Sequence, residues 1–245
     1  MQTISYLFQA IKQGDEFRPI TFAEFIAAPS PRLIKSHAPS KLLLGMTSDE
    51  SMPQGLKMIV MSRNPFDSCV SRYYHAFNPH ASGWSFSAWA AVWLSGNTAY
   101  GSWFEWVRDW NTRAQKHREQ ILWIQYEEMI QDPKTQIRNI IDFLGVSDGC
   151  DIPALIERVA DGCSFDSMKR HANEGTSTDF QGHFRKGVKG DWVNQFSEDI
   201  ECAFIRKYHE ELGGSGLVYD FGANLGIVRA GAPNDASKLS KSMPS

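Results

Sequence analysis

The chain has 245 residues, of which 42% are apolar and 12% aromatic, enough to bury one sizeable core, so a single domain near the upper size for one is expected. Charged residues make up 22% and nearly cancel to a net −3, which excludes a global field drawing the protein to nucleic acid or anionic lipid and leaves any anion site to local geometry. No basic stretch with a following apolar run opens the chain at Met1 to Phe8, no run of about eighteen apolar residues occurs, and Cys69, Cys150, Cys163 and Cys202 form no CxxC pair, so a soluble protein with reduced, structural thiols is expected, most simply cytoplasmic and not membrane-bound.

In chain order, Ile4, Leu7, Phe8 and Ile11 fall at helical spacing, so the chain opens inside a helix with one apolar stripe. Arg32 to Lys35, Lys57 to Met61 and Ile121 to Ile124 are short β-branched or apolar runs and are predicted strands. Longer helical stretches lie between and beyond them. Trp103, Trp106, Val107 and Trp110 share one face, as do Ile137, Ile140, Ile141 and Leu144. The second of these helices is well punctuated: Asp132 caps its first turn, Pro133 suits its first position, and Gly145 ends it in a left-handed conformation. Strands alternating with helices imply an α/β fold, a mostly parallel sheet flanked by helices. Residues 1–229 are assigned to this domain. Residues 230–245, small and polar, are expected to be a disordered tail.

Three segments carry candidate chemistry. Arg63 follows a predicted strand, and Asn64 and Pro65 open the helix that leads to Ser71; ligands bind at strand carboxyl ends in open α/β sheets, and a guanidinium with a nearby hydroxyl holds a phosphate by charge-assisted hydrogen bonds. Taken alone, this segment reads more readily as a surface arginine and a helix serine than as a phosphate site. Lys35 and His37 lie two residues apart at the end of the preceding strand, and a histidine there suits a general base, although a lone histidine is more often structural. His183 to Trp192 packs Arg185, Lys186 and Lys189 with Gly187 and Gly190, the glycines giving an anion close access to backbone amides. Alone it could be a basic surface loop.

Together, and in this order, the three resemble the motifs of cytosolic sulfotransferases. Lys35-Ser36-His37-Ala38-Pro39 resembles their K-[TS]-H-x-P motif, Arg63 to Ser71 their R-N-P-x-D-x-x-x-S motif, and Arg185 to Trp192 their R-K-G-x-x-G-D-W motif. Gly101 to Trp103, Tyr126 to Met129 and Ser164 to Lys169 also look like family segments, so the similarity covers roughly residues 3–222. The resemblance implies a P-loop-like sulfotransferase fold that uses 3′-phosphoadenosine 5′-phosphosulfate (PAPS) as co-substrate and a small-molecule acceptor, with no metal. It assigns Arg63, Ser71, Arg185, Lys186 and Gly187 to the 3′-phosphate, and Tyr126, Ser164, Phe165 and Met168 to the adenine and ribose. His37 matches the catalytic base. Lys35 would neutralise charge on the transferred group.

The family's amino-terminal strand and its P-K-x-G-T-T-W-type loop, which cradles the 5′-phosphosulfate, have no match; the only Pro-Lys pair is Pro133-Lys134. The resemblance therefore implies a chain truncated at its amino terminus, with a true start further upstream. A second reading is an inactive fragment or pseudoenzyme that binds the 3′-phosphonucleotide or a complete homologue. His183 stands where the family often has an aromatic residue. The family's dimer segment is not matched clearly in Ser197 to Tyr208, which leaves a homodimer as one option. The aromatic stretch Trp84 to Trp93 reads either as acceptor-pocket lining or, slightly preferred, as core.

Overall fold

The structure, a computed structural model, describes residue 33 and residues 36–41, 52–76, 83–145, 149–174 and 186–222. The opening helix at Ile4 to Ile11, Lys35, His183, Arg185 and the tail lie outside the described residues. Of the strand expected at Arg32 to Lys35 only Leu33 is described, and it is in no regular element.

Two strands form a parallel pair, β1 (Met58–Ser62) and β2 (Ile121–Gln125), in a register that sets Met58 against Ile121 and Ser62 against Gln125. Both were expected from their apolar runs. Parallel strands need a long crossover, and three helices supply it: α1 (Pro65–Ala76), α2 (Phe86–Ser95) and α3 (Trp103–Lys116). Beyond β2 come α4 (Tyr126–Gln131), α5 (Pro133–Leu144), α6 (Ile152–Gly162) and α7 (Phe165–Glu174), then a 3₁₀ turn at Asp191–Asn194 and α8 (Glu198–Leu212). The protein is thus α/β with a parallel sheet and several helices.

The chain divides into two compact units, Met1–Arg63 with Trp110–Val188, and Asn64–Asp109 with Lys189–Ser245. The first unit holds the strand pair. Its core is aliphatic: Ile124 of β2, Ile137, Ile140 and Ile141 of α5, and Leu155 and Val159 of α6 are all buried. The stripe read from the sequence of α5 is therefore the face it buries. Its ends are closed as the sequence dictates, for the Asp132 carboxylate accepts the Thr135 amide hydrogen at 3.1 Å, Pro133 takes the first turn, and Gly145 sits at φ 71°.

The second unit has an aromatic core. Phe66 of α1 packs edge-on against Trp192 and Phe204, with ring centroids 4.9 and 5.2 Å apart, and Trp93 of α2 stacks on Phe204 at 5.3 Å. Such pairs contribute about 0.5–1.5 kcal/mol each beyond their burial. Trp89 and Trp93 are core residues, 1% and 6% exposed, whereas Trp84 is 43% exposed. The Trp89 indole N–H donates to the Cys69 carbonyl oxygen at 3.0 Å. All four cysteines are free, and burial pushes the Cys69 thiol well above its ordinary range.

Candidate functional site

In the first unit the parallel register does the placing. Ser62 and Gln125 are the last paired residues of β1 and β2, so Arg63 and Tyr126, the next in each chain segment, leave the sheet side by side at its carboxyl end. The Arg63 guanidinium carbon lies 4.5 Å from the centre of the Tyr126 ring, a cation–π contact. One Arg63 amino group donates to the Val188 carbonyl oxygen at 2.9 Å. A half-buried guanidinium is therefore held from two directions, by a ring face and by a backbone acceptor.

Val188 follows Gly187, whose φ of +67° is left-handed backbone that side chains avoid. A Cβ at Gly187 would lie 2.3 Å from Cδ2 and 2.7 Å from Cε2 of Phe165, so its backbone passes close against that ring. Phe165 is the first residue of α7, and Ser164 caps it: the Ser164 hydroxyl accepts the Ser167 amide hydrogen at 3.3 Å and donates to the Asp161 carbonyl at 2.8 Å. Met168 is half-buried one turn on, and Lys186 is exposed. Four of the residues singled out in the sequence, Arg63, Tyr126, Phe165 and Gly187, thus meet in one chain of contacts.

The other candidates are placed differently. His37 is exposed, outside any helix or strand, in a segment shaped by the Ala38 amide hydrogen donated to the Ser36 hydroxyl at 3.1 Å. Ser71 is exposed on α1 in the second unit. Lys35 and Arg185 lie outside the described residues. Among the described residues, no three His, Cys, Asp or Glu side chains gather in a way that could hold a metal ion, and no helix is long and apolar enough to cross a membrane.

The second unit contains an anchor for the glycine-rich loop that sequence reasoning missed. Asp67, 2% exposed, accepts the Gly190 amide hydrogen at 2.8 Å and the Trp192 amide hydrogen at 3.1 Å. It also accepts from the Asn64 side-chain amide at 2.9 Å, while its own amide donates to the Asn64 oxygen at 2.8 Å. The second of these bonds caps the first turn of α1, and the side-chain pair reinforces it. The signal was present in Asn64-Pro65-Phe66-Asp67, an N-cap residue with a carboxylate three positions on. Gly190 and Gly222 then approach so closely that a Cβ on Gly222 would lie 2.8 Å from the Gly190 nitrogen, and the Trp192 indole donates to the Phe221 carbonyl at 2.8 Å.

Comparison with known proteins gives a consistent result. Residues 17–216 match the family described as Sulfotransferase domain. Sulfotransferase 1B1 of Mus musculus is 34% identical over 204 residues, covering 78% of this chain and 64% of that protein. Sulfotransferase 1A1 of Canis lupus familiaris is 32% identical over 205 residues, covering 78% and 65%. The chain spans less than two thirds of the length of these relatives. Among solved structures, mouse sulfotransferase SULT7A1 complexed with PAP superposes with a TM-score of 0.67 at 27% identity, covering 87% of this chain and 80% of that one. Retinol dehydratase in complex with androsterone and inactive cofactor PAP has a TM-score of 0.64 at 23% identity, a likeness of fold alone.

Proposed function

The chain belongs to the sulfotransferase domain family, and from that premise we propose that it moves a sulfuryl group from PAPS to a hydroxyl or amine of a small acceptor. The observation that carries this reading is the fixed guanidinium of Arg63 at the carboxyl end of the parallel pair, beside the left-handed backbone at Gly187. A nucleotide 3′-phosphate needs a permanently charged planar donor and unobstructed backbone, and this corner of the first unit offers both. Lys186, exposed next to Gly187, adds a second positive charge. Phe165, with Ser164 and Met168 at the start of α7, provides a ring and a polar edge suited to adenine and ribose.

In the reaction, an acceptor oxygen or nitrogen attacks the sulfur as the bond from sulfur to the 5′-phosphate oxygen breaks. The acceptor proton passes to His37, and 3′-phosphoadenosine 5′-phosphate (PAP) departs with the electron pair of the broken bond. Lys35 neutralises charge on the transferred group. An exposed His37 is open to an acceptor arriving from solvent. A reducing, cytoplasmic setting suits the four free thiols.

Calorimetric titration of the 245-residue chain with PAP tests the reading without choosing an acceptor. Saturable binding is expected, and Arg63→Ala should abolish it, since removing one partner of a charge-assisted pair costs about 2–5 kcal/mol. A folded sample that does not bind PAP would overturn the reading.

A further inference from the structure

The resemblance groups Tyr126 with the adenine and ribose, but its ring lies against Arg63. From this we propose that Tyr126 is a positioning residue for the 3′-phosphate site, acting through the Arg63 guanidinium and not by contact with the base. The inference rests on the sulfotransferase reading and gives Tyr126 a different role within it. An arginine side chain has several rotatable bonds, and a guanidinium that must meet a phosphate in a fixed orientation loses that freedom on binding unless it is ordered beforehand. Here it is ordered beforehand. The ring face of Tyr126, 4.5 Å away, fixes the plane of the guanidinium, and the Val188 carbonyl, 2.9 Å from one amino group, fixes its rotation within that plane.

The placement of Tyr126 is itself constrained. It is the first residue of α4, directly after the last paired residue of β2, and Glu127 and Met129 beside it are buried. The ring is therefore carried by two rigid elements, a strand end and a helix start. Its partner Arg63 likewise stands directly after the last paired residue of β1. The parallel register thus sets the stacking distance, which no property of either motif alone would fix.

The test compares two nucleotides in the full chain: PAP, and adenosine 5′-phosphate, which lacks the 3′-phosphate. Tyr126→Leu removes the ring; Tyr126→Phe keeps the ring and removes only the hydroxyl. Tyr126→Leu is expected to weaken PAP about three- to thirtyfold, the range of a partly desolvated cation–π contact, with adenosine 5′-phosphate unchanged. Tyr126→Phe should retain PAP affinity within about twofold, because the ring face persists. Equal weakening of both nucleotides by Tyr126→Leu would place the ring on the base and overturn the proposal, as would a Tyr126→Phe variant as weak as Tyr126→Leu. Should Tyr126→Leu lower the melting temperature, Tyr126→Met, an unbranched side chain that packs adaptably, carries the same comparison. A wild-type chain that prefers neither nucleotide would overturn the sulfotransferase reading first and this inference with it.

Discussion

The backbone of Gly187 passes so close to the ring of Phe165 that a methyl carbon at Gly187 would lie 2.3, 2.7 and 3.0 Å from three ring atoms. The two residues are far apart in sequence but belong to the same unit. Their contact joins the glycine-rich loop to the start of α7. Gly187→Ala is therefore expected to be destabilising twice, through a left-handed φ unfavourable to alanine and through displacement of the ring, by about 2–4 kcal/mol together. Thermal melting and PAP titration check this. An alanine variant with unchanged melting temperature and unchanged affinity would mean that the ring moves aside freely and that the contact has no role.

Asp67 holds three donors at once, the amides of Gly190 and Trp192 and the side chain of Asn64. Asp67→Ala leaves buried donors without this acceptor, each at about 1–3 kcal/mol, so a loss of roughly 3 kcal/mol in urea unfolding is expected. Asp67→Asn keeps an oxygen in place for one of the amides and should recover part of that loss. If the two variants unfold at the same urea concentration, the acceptor role of the carboxylate is not what matters.

Much of the fold was legible because its signals are local. The caps of α5 at Asp132 and Gly145, its buried stripe through Ile137, Ile140 and Ile141, and the strands now seen as β1 and β2 are each written within a few consecutive residues. The candidate site was legible only in part. Arg63 and Gly187 could be marked as a cation at a strand end and a permissive backbone position. That Tyr126 faces the guanidinium and Phe165 lies against Gly187 depends on strand register and helix placement, properties of the assembled sheet that no local window encodes. Asp67 was overlooked for a related reason: within the sequence it is one more helix-capping carboxylate, and its bonds to Gly190 and Trp192 come from residues more than a hundred positions away.

Glu211 of α8 pairs with Lys207 at 2.6 Å and with Arg108 at 2.7 Å, and hydrogen bonds from these two cations hold its carboxyl below the usual range. A carboxyl whose folded pKa is depressed stabilises the fold above its unfolded pKa, about 4.3, and loses that contribution as pH falls through the folded value. Because Arg108 is 48% exposed and Lys207 32% exposed, the pairs are screened and the contribution is about 0.5–1 kcal/mol. Glu211→Gln should therefore be less stable than wild type at pH 7, with the gap closing below about pH 4 and shrinking in high salt. A gap that persists at pH 3 would point to packing of the side chain and not to its charge.

His37 supplies the sharpest separation between binding and chemistry. It lies exposed, in no helix or strand. A general base contributes about a hundred- to ten-thousandfold in rate, so His37→Ala should lower sulfuryl transfer from PAPS to a simple phenol by that factor while leaving the PAP titration unchanged. Arg63→Ala should do the reverse in emphasis, losing PAP affinity first. Because one change acts on proton transfer and the other on nucleotide capture, the two together locate the base independently of the phosphate site. Transfer that survives His37→Ala at the wild-type rate would remove His37 from the chemistry and send the search for the base to another residue.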